Sequence, residues 1–217
     1  MMFSFKSLAL AAGVAFAAVS SVCAAPATPA VSTSTYTADV TTTTQTYTYV
    51  KEKSVYYVLE KTKYEVTPVV QKFHYFTKQN CTVENVTPVV EELKVVLTGA
   101  IADLHALVGV DVNILLLTEG GVKVTVDVVA KLVAEILILV FGALGFVLTL
   151  VEGALYVTLC NLFAVVGGLV GTILSVVLSL VGSVLGGLVV AIVALLGDVI
   201  AIILKLNISV CISLLGL

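Results

Sequence analysis

From Gly153 to Gly197 the chain runs 45 residues without a charged side chain, and beyond that only Asp198 and Lys205 interrupt the apolar sequence before Leu217. Soluble domains carry roughly a quarter charged residues. This chain has 12%, with a mean hydropathy of +1.15. Apolar surface on that scale has to be packed against other protein or meet a non-aqueous phase, because leaving it in water is unfavourable. The front of the chain is of another kind, polar and rich in Thr and Tyr. The constraint on the fold is therefore where the apolar half goes.

The pattern predicts a mostly α protein. It has an apolar C-terminal helical hairpin or bundle, a small β-hairpin, and a Thr/Tyr-rich N-terminal region that is partly extended or disordered. Residues 1–24 read as a signal peptide: Lys6 precedes an apolar segment from Leu8 to Val19, and Val22-Cys23-Ala24 offers small residues for cleavage after Ala24. Residues 25–66 form the Thr/Tyr-rich extended region. Alternating Thr and Tyr, as in Thr46-Tyr47-Thr48-Tyr49, suits a strand, and the Thr density suits O-glycosylation. Between Lys51 and Val66 the sequence does not separate strand from helix.

Residues 67–131 read as polar and amphipathic helices with the hairpin. Val66-Thr67-Pro68-Val69-Val70 recurs as Val86-Thr87-Pro88-Val89-Val90. Thr before Pro is a helix-start signal, since Thr caps free amides and Pro occupies a position that needs none. The second copy leads into an apolar stripe of Leu93, Val96, Leu97, Ala100, Leu104 and Leu107, predicted to end near Gly109. Val112, Ile114 and Leu116 then alternate, Glu119-Gly120-Gly121 breaks the chain, and Val122, Val124 and Val126 alternate again, which predicts a hairpin. Asp127 is the expected N-cap of a long helix. Residues 132–217 form the apolar Gly/Val/Leu-rich helical region. Within it Gly167, Gly171, Ser175, Ser179, Ser183, Gly187 and Ala191 recur every four residues, a ridge of small side chains on which another helix can pack closely.

Residues that could carry chemistry are few. His74 and His105 stand in no metal-ligand spacing, Gly167-Gly168 lacks the residues of a phosphate loop, and no nucleophile elbow is present. The expectation is a non-enzyme with no catalytic residues, no metal and no cofactor. All eleven basic residues are Lys, unclustered, which argues against nucleic acid as a partner and against anionic-lipid recognition.

Passage through the secretory pathway would leave Cys81, Cys160 and Cys211 in an oxidising compartment. Cys160 and Cys211 could pair, with Cys81 left for a partner molecule, or they could be small buried hydrophobes. Three cysteines are too few for the small secreted folds stapled by six or eight, hydrophobins among them. Asn80-Cys81-Thr82 and Asn85-Val86-Thr87 match the glycosylation rule, so Asn80 and Asn85 are the candidate acceptors.

Several of these stretches carry a resemblance. Thr87-Pro88-Val89-Val90-Glu91-Glu92-Leu93-Lys94, the block from Ala102 to Asp111, the hairpin and the Gly/Val/Leu-rich tail together resemble a family of small secreted hydrophobic wall and mycelial-matrix proteins of mushroom-forming fungi. The resemblance covers Val86 to Leu217. It implies a signal peptide, a polar front, a hydrophobic rear and association with the hyphal wall and extracellular matrix, with roles in aerial growth and attachment independent of hydrophobins. It carries no catalytic residues.

The resulting expectation is a secreted surface-active structural protein that associates with itself, as an oligomer or film, with hydrophobic surfaces or lipid, and with cell-wall polymers. Two other destinations stay open. One is a multi-pass membrane protein with a glycosylated N-terminal ectodomain, since a run of about 20 apolar residues spans a bilayer. The other is a lipid-binding carrier.

Overall fold

The structure is a computed structural model, and it describes residues 54–118 and 121–217. The expected signal peptide and most of the expected Thr/Tyr-rich extended region lie outside the described residues. The described residues are mostly helical and belong to one compact unit. Four helices are long: α1 (Val55–Phe73), α2 (Val83–His105), α4 (Val126–Leu150) and α5 (Gly153–Val181). Four are short: α3 (Val112–Leu115), α6 (Leu188–Leu196), α7 (Val199–Lys205) and α8 (Ser209–Leu215).

Helix α1 starts earlier than its Thr-Pro signal. Ser54 caps it by accepting from the Tyr57 amide, and Val55, Val58, Leu59, Thr62, Val66, Val69, Val70 and Phe73 form its buried stripe. Residues 55–66, grouped with the Thr/Tyr-rich extended region but not separable into strand or helix from the sequence, are therefore helical. Helix α2 likewise begins at Val83, with Thr82 accepting from the Asn85 amide. Pro68 and Pro88 sit inside these helices rather than at their starts. Both prolines lie on the exposed side, where water can take over the carbonyls left without an amide partner. The threonine before each donates its hydroxyl to the carbonyl four residues back, Thr67 to Lys63 and Thr87 to Val83, each at 2.7 Å. The sequence echo thus builds the same local structure twice.

Two antiparallel hairpins stack on each other. In the first, Lys72 pairs with Glu92, and Lys61 meets Asp103 at 2.8 Å, so α2 runs back along α1. In the second, Val133, Ile136 and Leu137 of α4 face Val170, Ile173 and Leu174 of α5, beneath Leu59 of α1. Their reversal takes only Val151 and Glu152, followed by Gly153 at φ +65°, a conformation that favours glycine. Helix α4 runs parallel to α1: Lys63 pairs with Glu135 at 2.7 Å, and eleven residues further along both helices His74 stacks near Phe146 at 5.1 Å. Helix α5 packs along α2. The third layer is α6 and α7 against α4, with α8 against α5.

The middle layer holds the core. Thirteen of the 25 residues of α4 are buried, among them Phe141, Leu144 and Val147, because it has α1 on one side and α6 and α7 on the other. Phe163 of α5 meets Phe73 of α1 edge to face at 6.3 Å.

The expected β-hairpin does not form as strands among the described residues. Val112–Leu115 is one helical turn, capped by Asp111, whose carboxylate accepts from the Asn113 amide at 2.7 Å. A single antiparallel bridge, Leu117 with Lys123, remains of the pairing. An Asp at the N-cap satisfies free amides locally, and that turn replaces the start of the first strand. Helix α4 begins at Val126 after Thr125, so Asp127 lies in its first turn, favourable to the helix dipole, rather than at the cap. The expected boundaries after residues 66 and 131 fall inside α1 and α4.

Candidate interfacial surface

Charge separates the layers. Helices α1 and α2 carry ten charged residues between them, Glu60, Lys61, Lys63, Glu65 and Lys72 on the first and Glu84, Glu91, Glu92, Lys94 and Asp103 on the second. Their ion pairs tie the outer hairpin together and, through Lys63 and Glu135, tie it to α4. The hydrogen bond from Lys61 to Asp103 raises the Lys61 pKa. Glu84, in the first turn of α2, is held below the usual carboxylate range by its backbone hydrogen bond and by Thr82.

From Gly153 onward only Asp198 and Lys205 are charged, and Lys205 lies over the Tyr156 ring at 5.3 Å. Apolar side chains nevertheless reach the surface there. Val157 and Val165 on α5, Val190 and Leu195 on α6, Leu204 on α7 and Val210 on α8 are all exposed, Val190 by 73%. The inward residues of the short helices, including Leu188, Ile192, Ile203 and Cys211, are buried against the middle layer. The exposed side chains of α6 to α8 form an outer face of Val, Leu, Ala and Ser with one charge, Lys205.

The third layer sits close because glycines seat it. A side chain at Gly167 would collide with Ile208, one at Gly171 would come within 2.9 Å of Val210, and one at Gly145 within 2.6 Å of Ile202. The first two belong to the expected small-residue ridge; the rest of the ridge goes elsewhere. Ser175 and Ser179 are exposed on α5, Ser183 lies in the turn after it, Gly187 starts α6 at φ +82°, and Ala191 is half-buried on α6. A four-residue repeat drifts by about 40° per step on a helix of 3.6 residues per turn, so it leaves the contact face within a few steps. Gly145 carried no repeat signal, although glycine in a helix interior is itself a mark of close approach.

Cys81, Cys160 and Cys211 are free thiols. Cys211 packs beside Gly167 and Gly171, and its burial pushes the thiol up to about 11. Cys160 lies seven residues before Gly167, about 10 Å along the helix, whereas disulfide Cα atoms lie within about 7 Å of each other. Cys81 lies in the loop that joins α1 and α2 with its side chain buried, which raises its pKa. Asn80 is exposed on that loop, accepting from the Thr77 amide at 2.6 Å, while Asn85 is exposed in the first turn of α2 and donates to the Asn80 carbonyl at 2.8 Å.

His105 ends α2 exposed, and Asp103 faces Lys61 rather than His105. Among the described residues no three His, Cys, Asp or Glu side chains gather to hold a metal ion. The void between α1, α4 and α5 measures about 10 Å³, about the space of one water molecule. Open grooves lie on the surface of the described residues. One, of about 480 Å³, runs along α1 past Lys63, Tyr64 and Pro68, and another, of about 410 Å³, lies between Lys131 of α4 and Leu195 of α6.

By length and composition α4 and α5 could each cross a membrane, and α6 with α7, bent at 95°, would make a third span if the pair were one. No family model matches the chain, and no curated protein or solved structure is significantly similar to it.

Proposed function

We propose that the chain is a secreted, non-enzymatic, surface-active structural protein of a fungal cell wall or extracellular matrix, which self-associates at hydrophobic interfaces. The observation that carries this reading is the segregation of charge. Ten charged residues lie on the outer α1–α2 hairpin and two in all of Gly153–Leu217, whose exposed side chains include Val157, Val165, Val190, Leu195, Leu204 and Val210. A body that is charged on one side and apolar on the other lowers its free energy at a boundary between water and an apolar phase, or against a second copy. The resemblance to wall and matrix proteins of mushroom-forming fungi supports the same role, in aerial growth and attachment, with wall polymers as further partners.

A second reading, a multi-pass membrane protein with a glycosylated ectodomain, is favoured by the lengths of α4 and α5. In this fold spanning is awkward, because α1 lies along α4 and would carry Glu60, Lys61 and Glu65 into lipid with it.

Cell fractionation tests the proposal. The protein is expected in the medium and in wall extracts, and the purified protein should lower the surface tension of water. Complete retention in carbonate-washed membranes would overturn the proposal in favour of the second reading.

A further inference from the structure

The helices with the composition of membrane spans are adjacent in sequence, joined by two residues, and enclosed between two other layers of the same chain. We infer that the α4–α5 hairpin is a bilayer-inserting unit, stored in the water-soluble fold and released into lipid when the layers around it part. The inference rests on the reading of the chain as a water-borne, interface-seeking protein, and it names a lipid bilayer as the partner.

Length comes first. At 1.5 Å per residue α4 and α5 extend for roughly 37 and 43 Å, against a hydrocarbon core of about 30 Å. Helix α5 holds no charge, and the charges of α4, Asp127, Lys131 and Glu135, all lie in its first ten residues. A hairpin entering tip first moves Glu152 across and leaves Asp127 and Lys131 at the near headgroups, since Lys131 to Glu152 is roughly 31 Å along the helix, while Glu135 comes to lie roughly 4 Å inside the near edge of the hydrocarbon.

Enclosure comes second. Much of their apolar surface packs against α1 and α2 on one side and α6 to α8 on the other, with thirteen residues of α4 and eleven of α5 buried, while Val157 and Val165 of α5 stay exposed. The outer hairpin cannot follow them, because its ten charges would enter hydrocarbon. Only one ion pair between described residues, Lys63 with Glu135, ties it to α4, and both partners are partly exposed. The connections also permit parting: between α2 and α4 the described residues hold one helical turn, Val112–Leu115, and a single bridge, and the chain from Gly182 to Gly187 leaves α5 without regular helix. The net charge of −3 and the absence of a basic cluster point to a neutral bilayer rather than an anionic one.

The test uses purified full-length protein, phosphatidylcholine vesicles, flotation and proteinase K. Floated protein should yield a protected fragment containing both α4 and α5, while α1 and α2 are cut. Val165→Lys should lower the yield of that fragment roughly 100-fold, since Val165 is exposed in the soluble fold but lies mid-span after insertion. Val190→Lys, exposed on α6, should leave the yield unchanged. Circular dichroism reports whether each variant folds, and Ala164→Lys, also exposed on α5, replaces Val165→Lys if that one does not.

Floated protein cut within α4 and α5 as it is in solution, or full protection in Val165→Lys, would overturn insertion and leave interfacial docking standing. Adsorption at an air–water surface without flotation would also overturn insertion alone. Failure of both adsorption and flotation would overturn this inference together with the proposed function, and so would a protein that leaves membranes only in detergent.

Discussion

Helices α2 and α4 are nearly equal in length, 23 and 25 residues, yet they solve burial in opposite ways. In α2 the buried residues are Val86, Val90, Leu93, Leu97, Ala100 and Leu104, a single stripe spaced by four and three. The other side carries Glu84, Glu91, Glu92 and Thr98 into water. In α4 thirteen residues between Val129 and Leu148 are buried, a set about twice as large as that of α2, because neighbours stand on both sides, and among the residues between them Ile138 is apolar and exposed. A one-sided helix declares its environment in its periodicity. An all-round apolar helix declares only that water is absent, and protein or lipid can be the reason.

That contrast can be broken or sharpened by substitution. The largest effect is expected at Phe141, fully buried in α4. Phe141→Ala should destabilise the fold by about 3–5 kcal/mol in urea unfolding, whereas Val95→Ala, 72% exposed on α2, should change it by less than about 0.5 kcal/mol. Equal small effects at the two positions would mean that α4 is not enclosed as described.

A smaller effect, with a change of sign, separates two adjacent glycines of α5. Gly167→Val should cost about 1–3 kcal/mol, because the new side chain meets Ile208, the residue just before α8. Gly168→Ala meets nothing within 4 Å and should stabilise the helix by about 0.5–1 kcal/mol. Thermal unfolding of the two variants would reveal whether the third layer is seated on that face.

The smallest effect is at the junction of the charged and apolar hairpins. A double-mutant cycle on Lys63 and Glu135 should give a coupling below about 1 kcal/mol that shrinks with added salt, since both side chains are partly exposed. A coupling of several kcal/mol would mark a lock between the hairpins and make their parting difficult.

The helical class and the α2 stripe were legible in the sequence, because amphipathic periodicity is local. The Thr-Pro pairs misled, since Ser54 and Thr82 supply the caps and the exposed prolines are tolerated further inside. Of the hairpin alternation, the Asp111 cap takes Val112–Leu115 for a helical turn, and one antiparallel bridge, Leu117 with Lys123, stands among the described residues. Of the small-residue ridge, Gly167 and Gly171 found a partner, while helical drift and the end of α5 carried the others away. The contacts that define the candidate surface, Ile202 over Gly145 and Ile208 over Gly167, join residues too distant in sequence for any local pattern to announce.

By itself the sequence determined that the chain is divided, with its charge in front and a long uncharged run behind, and that most of it is helical. Those properties follow from composition and from a period of 3.6, which each segment carries within itself. Only the tertiary structure decided that the uncharged run breaks at Gly182 and Gly187, that α4 and α5 lie between two other layers, and which valines and leucines remain outside. The physical reason is that the hydrophobic effect has no direction: it requires apolar surface to leave water, and the packing of neighbours selects the place.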